Sequence, residues 1–171
     1  AMLTAVEAGT QAALLAPTEI LARQHHQSLS AFLAPLGLTP VLLTGATKQK
    51  ERKEILDSLA DGTQAIVIGT HALLTDEVSF ADLALAVVDE QHRFGVRQRL
   101  VLGQKGHGCD VLVMTATPIP RTLAMTAYGD LTVSRLDEKP AGRQEIETAL
   151  VSQERLADIT ARLAVALVDG Q

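Results

Sequence analysis

Short apolar runs alternate along the chain with longer segments in which apolar residues recur at helical spacing. The runs predict five strands, at residues 12–16, 41–43, 65–68, 83–88 and 111–114. Strands that alternate with helices are typical of βαβ units, in which the strands are parallel and helices cover both faces of the sheet. The pattern therefore predicts an α/β domain with one mostly parallel sheet.

The segments between the runs predict helices with recognisable ends. The first helix begins near Thr18, and its helical spacing predicts four buried positions, Leu21, His25, Leu29 and Phe32. A second, charged helix is predicted to start from a cap at Thr47, to run through Leu59 and to close at Asp61 and Gly62. Both helices connect predicted strands, as a parallel sheet requires.

The last third of the chain has a different pattern. A short helix is predicted through residues 123–128, and from residue 137 the sequence becomes typical of a linker, which we place at residues 137–146. A strand is predicted at residues 147–151 and an amphipathic helix at residues 156–167. Residues 147–171 are therefore expected to start a second domain after a first one at residues 1–136.

Two carboxylates follow the longest apolar run. Residues 83–88 show no polar alternation, which is typical of a strand buried on both faces, and Asp89 and Glu90 come directly after it. The carboxyl end of such a strand faces the binding crevice of an α/β protein. Asp89 is suited to hold Mg²⁺ through its water shell and Glu90 to orient an attacking water, although an acidic turn is the commoner role of an isolated Asp-Glu pair.

Polar or turn-forming residues also follow the neighbouring predicted strands, and parallel strands bring such ends to one edge. The third strand ends at Gly69, Thr70 and His71, where a hydroxyl and backbone N–H groups suit a polynucleotide phosphate. The fifth ends at Thr115 and Thr117, whose hydroxyls can hydrogen-bond towards the acidic pair and couple it to the other strand ends. Each signal alone is weak, and together they indicate a phosphate-handling site.

The histidines of the chain have different expected roles. His92, just after the acidic pair, is placed to couple to the two threonines, although a histidine at a buried strand's end is more often only packed. His25, His26 and His107 are expected to have no functional role, since the first two lie on a predicted helix and the third in a Gly-rich loop.

Composition narrows the class of protein. The 171 residues are 47% hydrophobic and 20% charged, as in an ordinary globular domain, and the net charge of −5 argues against a broad phosphate-binding surface. Any contact with nucleic acid is expected to involve only a small part of the surface. A single cysteine, Cys109, together with the lack of a signal-like or membrane-spanning apolar segment, predicts a cytoplasmic protein.

Four stretches of the sequence resemble RecG-type DNA helicases of superfamily 2. They are LAPTEILA at residues 15–22, IGTH at 68–71, DEQHRFGVRQR at 89–99 and MTATPIPRTLAMT at 114–126. The two long stretches are also similar, to a lesser degree, to the transcription-repair translocase Mfd, and the order Glu-Gln-His favours the RecG type.

The resemblance implies a RecA-like P-loop NTPase fold, a three-layer sandwich, and an ATP-dependent helicase that remodels branched or forked DNA in recombination and repair. By the resemblance, Glu90 is the catalytic base, Asp89 the ligand that holds Mg²⁺ through water at the ATP site, and His92 a further catalytic-site residue. Pro17, Thr18 and Glu19 are implied to contact DNA. A second motor domain and a wedge domain are the implied partners within the intact chain.

The sequence departs from the family at the phosphate-binding loop, because it contains no Gly-x-x-x-x-Gly-Lys-Ser/Thr. We therefore expect an incomplete first motor domain that lacks the P-loop strand, leaves open sheet edges and is inactive by itself. Two alternatives from other classes stay open. One is a DNA-binding fragment without enzymatic activity, and the other is a phosphohydrolase whose metal binds Asp89 and Glu90 directly.

Overall fold

The computed structural model describes residues 1–90, 101–106, 108–116, 132–138, 148 and 150–168. The chain divides into two compact units, Ala1–Ala127 and Tyr128–Gln171. The first unit contains the helices α1 (Met2–Glu7), α2 (Glu19–Leu33) and α3 (Gln49–Ala60), and residues 101–104 are also helical. Its strands are β1 (Gln11–Leu15), β2 (Val41–Leu43), β3 (Ile66–Gly69), β4 (Leu83–Val88) and β5 (Asp110–Val113).

The five strands of the described residues form one sheet in the order β2-β3-β1-β4-β5, and every pairing is parallel. This confirms the predicted α/β class and the parallel sheet. The strand pairings align the last residues of all five strands in a single row across the sheet, Leu43, Gly69, Leu15, Val88 and Val113. Whatever follows these residues therefore begins at the same edge.

Alternating side chains of the central strand pack on opposite faces of the sheet. Ala12 and Leu14 belong to a cluster that contacts α1 and α2 through residues such as Ala22, while Ala13 and Leu15 belong to a second cluster that includes Ile55 of α3. Helices thus cover both faces, which gives a three-layer sandwich. Because β1 and β4 are apolar at nearly every position, they are suited to burial on both sides.

Two details of the predicted helices are wrong. Phe32 was expected to be buried but is 77% exposed, because α2 turns that position to solvent and buries Leu33 instead. Thr47 does not cap α3, whose cap position is Lys48. The Thr47 hydroxyl is held within the preceding turn, where it accepts a hydrogen bond from the Thr44 N–H at 2.9 Å.

The second unit is described at residues 132–138, 148 and 150–168. The predicted amphipathic helix is present as α4 (Leu156–Val168), and its apolar side chains are exposed at Leu156, Ile159, Leu163 and Leu167. The strand predicted at residues 147–151 is not found at Thr148, Leu150 and Val151, which have no regular structure. The predicted helix through residues 123–128 lies outside the described residues.

No helix in the described part of the chain has both the length and the apolar character needed to cross a membrane.

Gln11 joins three parts of the first unit at the sheet edge opposite the row of strand ends. Its side chain is buried and donates to the Leu59 and Gln64 carbonyls, both at 2.9 Å, while its Oε1 accepts from the Asp82 N–H at 2.9 Å. These bonds connect the end of α3, the entry to β3 and the entry to β4.

We expect Gln11→Leu to lower the free energy of unfolding by about 2 kcal/mol, because it removes all three of these hydrogen bonds, while the Leu59 carbonyl keeps a bond from the Ala81 N–H. A urea titration followed by circular dichroism measures this loss. Gln24→Leu is the matched control, since Gln24 is exposed on α2 and its replacement is expected to change little. Equal stability of the two variants would show that the Gln11 bonds contribute nothing.

Candidate functional site

Backbone hydrogen bonds gather the predicted site segments at the edge where the strands end. The Asp89 N–H donates to the Leu15 carbonyl at 2.9 Å, and the Met114 N–H donates to the Val88 carbonyl at 2.9 Å. The Ala16 N–H donates to the carbonyl of Gly69 at 2.8 Å. Residues 17–19, 69–71, 89–90 and 115 therefore all leave the sheet from one edge, as the strand pattern predicted.

Both carboxylate oxygens of Asp89 are engaged. Oδ1 accepts the Glu90 N–H at 2.9 Å, and Oδ2 lies 2.6 Å from Nε2 of His25. The Asp89 side chain is 17% exposed and the His25 side chain 30%. The side chains of Leu85 and Val87 already point to the α2 face of β4, so strand alternation carries Asp89 to the same face.

His25 is the site residue to which sequence reasoning gave no role. Its spacing from Leu21 and Leu29 predicted an inward-facing position on α2, and the structure confirms that the residue is half-buried. The spacing carries no information about its partner, which lies 64 positions away in the chain. The prediction that His25 has no role beyond packing therefore missed its contact with the acidic pair.

Glu90 has an unusual backbone conformation. Its φ is +50°, and no other non-glycine residue in the described part of the chain has a positive φ. Such a conformation costs free energy, and residues of this kind concentrate at functional sites. The Glu90 side chain is half-buried, with its Oε2 atom shielded from solvent. The strand thus ends in a sharp change of direction at the second carboxylate.

The carboxylates of Asp89 and Glu90 suit a Mg²⁺ ion whose other ligands are phosphate oxygens and water molecules. Asp89 and Glu90 supply adjacent carboxylates at a strand end, and Mg²⁺ in nucleotide sites commonly takes only one or two protein carboxylates. No three His, Cys, Asp or Glu side chains of the described residues come together as a metal cage. A phosphohydrolase whose metal binds Asp89 and Glu90 directly would need further protein ligands, and the described residues do not supply them.

The residues expected to contact DNA after β1 are all half-buried, and two of their side chains have partners within α2. Pro17, Thr18 and Glu19 are half-buried. The Thr18 hydroxyl caps α2 by accepting from the Leu21 N–H at 3.3 Å, and the helix begins at the next residue, close to the predicted start. Glu19 pairs with Arg23 one turn along the helix, at 2.6 Å.

The residues expected to contact DNA after β3 are mostly buried. Gly69 and Thr70 are buried, whereas His71 is exposed. A Cβ at Gly69 would lie 2.2 Å from the Leu43 carbonyl oxygen, so a packing constraint already requires glycine there. The Thr70 hydroxyl is buried and finds no hydrogen-bond partner among the described residues. His71 is thus the side chain of this segment that solvent reaches most easily.

The expected coupling residues are only partly described. Thr115 is half-buried and follows β5 by two residues, on the same edge as the acidic pair. His92 and Thr117 lie outside the described residues, so their expected roles stay predictions.

Comparison with known proteins identifies relatives over the whole chain. Residues 1–126 match the family model described as DEAD/DEAH box helicase. The chain is 54% identical to the ATP-dependent DNA helicase RecG of Streptococcus pneumoniae over 93% of its length, and 50% identical to that of Bacillus subtilis over 100%. It covers 23% and 25% of those two relatives, so it spans about a quarter of their length.

Solved structures agree with these sequence matches. A structure of RecG bound to a three-way DNA junction matches 99% of this chain with a TM-score of 0.80 and 41% identity, and the chain covers 22% of it. The helicase Lhr of Mycobacterium smegmatis matches 74% of this chain with a TM-score of 0.55 and 18% identity, and 17% of its own chain is covered. The second likeness supports the fold alone.

Proposed function

This chain belongs to the DEAD/DEAH box helicases, and on that premise we propose that it forms part of the first motor of a RecG-type ATP-dependent DNA helicase that remodels branched DNA. Its fold is the RecA-like helicase fold. We further propose that residues 1–136 belong to this first motor domain, 137–146 to a linker and 147–171 to the start of a second motor domain.

The position of Asp89 and Glu90 carries the proposal. They follow β4 at the edge where residues 17–19 and 69–71 also leave the sheet, so nucleotide chemistry and DNA contact would share one edge. When bound there, ATP and Mg²⁺ supply the phosphoryl group to be transferred and the charge that neutralises it. Glu90 would accept a proton from the attacking water, and Asp89 would hold the water shell of the metal.

The proposal places the phosphate-binding loop outside these 171 residues, because they contain no Gly-x-x-x-x-Gly-Lys-Ser/Thr. Catalysis would then need that loop, a second motor domain and a wedge domain that recognises the branch, all in a longer protein. The matched relatives are bacterial helicases, so we propose that the protein acts in the cytoplasm, where the bacterial chromosome lies.

Fork reversal separates the proposed function from an Mfd-like one. We expect the full-length protein to convert a model replication fork into a four-way junction with ATP, and to leave RNA polymerase stalled on linear duplex DNA in place. Electrophoresis of labelled DNA measures both reactions. Displacement of the polymerase without fork reversal would favour the Mfd-like alternative. Binding of the fork without any ATP-dependent change would favour a DNA-binding protein that is not an enzyme.

A further inference from the structure

We infer that His25 is a positioning residue, which holds the Asp89 carboxylate in place from α2. This inference rests on the proposed function, since it assigns a role to the pair within an ATP site. The motifs that identified the acidic pair give no role to this histidine, which lies on a helix and not at a strand end.

The contact is short and joins two well-packed elements. His25 Nε2 and Asp89 Oδ2 are 2.6 Å apart, and both side chains are largely shielded from solvent. Hydrogen bonds to an ionised carboxylate are shorter and stronger than neutral ones. The helix that carries His25 is anchored on the sheet by Ala22, which is fully buried, with Leu21 and Leu29 packed beside it. A donor on this helix therefore sits at a fixed place relative to β4.

Two donors together fix the orientation of the Asp89 carboxylate. The backbone N–H of Glu90 holds Oδ1 and the His25 ring holds Oδ2, so rotation about the last side-chain bond would break both contacts. Each carboxylate oxygen has a second acceptor site, which leaves room for the waters of a metal ion. Partners of this kind around a metal-holding carboxylate typically tune metal affinity by orienting it.

The same helix begins at the segment proposed to contact DNA. Thr18 caps α2, and His25 lies seven residues further along, which is two helical turns. Thr18 and His25 therefore belong to one sheet-packed helix, and the Asp89 carboxylate is held by the same element that begins at residues 17–19.

The test uses the full-length protein with three substitutions. His25→Asn removes the donor at the Nε2 position, because the asparagine amide is too short to reach, whereas His25→Gln replaces it with an amide of matching reach. His26→Ala is the matched control, since the neighbouring ring bonds the Pro40 carbonyl at 3.0 Å and does not contact the acidic pair. The first readout is the Mg²⁺ concentration that gives half-maximal ATP hydrolysis on three-way junction DNA.

We expect His25→Asn to raise this Mg²⁺ concentration by about tenfold or more. His25→Gln and His26→Ala should stay near the wild-type value, and their melting temperatures should match that of His25→Asn. Equal Mg²⁺ dependence of His25→Asn and the wild type would overturn the inference. A defect in His25→Gln as large as that in His25→Asn would also overturn it, because the donor would then not be what matters.

A second readout needs no nucleotide, metal or activity. The Glu90 amide bonds the Asp89 carboxylate, so its hydrogen exchange in the metal-free protein reports whether that carboxylate keeps its orientation. Faster exchange in His25→Asn but not in His25→Gln supports the positioning role even if the wild type hydrolyses no ATP, an outcome that would contradict the proposed function alone. Unchanged exchange in every variant would overturn the positioning role itself.

Discussion

Glu90→Gln is expected to lower ATP turnover by the full-length protein by about a hundredfold or more, because the amide cannot accept a proton from the attacking water. Affinity for branched DNA should be unchanged, since the substitution alters no residue proposed to contact DNA. Steady-state ATP hydrolysis and a fluorescence binding assay with a labelled three-way junction measure the two quantities.

Glu54→Gln is the control for this loss, because it makes the same chemical change at an exposed position of α3. It should leave turnover at the wild-type value. Unchanged turnover in Glu90→Gln would remove Glu90 from the role of base. A parallel loss of DNA binding would show instead that the substitution disturbs the whole strand-end edge.

Gly69→Ala has the largest expected effect on stability. A Cβ there would lie 2.2 Å from the Leu43 carbonyl oxygen and 2.9 Å from Leu73 Cγ. The first contact is with the backbone of the paired strand β2, so it cannot be relieved by a rotamer change. We expect a loss of about 3 kcal/mol in the free energy of opening around β2 and β3. The rate of native-state proteolysis should then rise by about a hundredfold.

Gly45→Ala is the matched control, since a Cβ at Gly45 meets nothing within 4 Å. Gly45 lies just beyond β2, the strand that a Cβ at Gly69 would contact, and follows Leu43 by two residues. Its replacement is expected to leave the proteolysis rate unchanged or to lower it slightly. Similar rates for the two alanine variants would show that the sheet accommodates a methyl group at Gly69.

The apolar pattern predicted the strands well and their ends less well. The predicted bounds of β2 and β4 match the structure, but β1, β3 and β5 are each displaced by one residue. The displaced ends fall at Gln11, Gly69 and Asp110, which an apolar pattern leaves out. Pairing with a neighbouring strand includes them, because the backbone ladder does not depend on side-chain polarity.

Helix periodicity was less informative about individual positions. Leu21 and Leu29 pack on the sheet as expected, but Phe32, near the end of the same helix, is exposed. The helix ends at Leu33, and the position of the sheet beneath it decides which of the last side chains are covered. That geometry depends on strand order, which the local pattern does not contain.

The candidate site shows the same division between local and long-range information. The sequence could place Asp89 and Glu90 at the end of a buried strand, because they directly follow its apolar run in the chain. The His25 contact with Asp89 depends on how α2 packs over the end of β4, across 64 positions of sequence. Gly69 was predicted as a phosphate contact, whereas the structure adds a packing reason for glycine that only the neighbouring strand reveals.

Steady-state Mg²⁺-ATP hydrolysis by the full-length protein, with and without three-way junction DNA, tests the central claim most directly. If Asp89 and Glu90 share their edge with a DNA contact, the junction should stimulate turnover, and linear duplex DNA should stimulate it less. Turnover that is absent, or that is the same with and without the junction, would contradict the assignment of this chain to a branched-DNA motor.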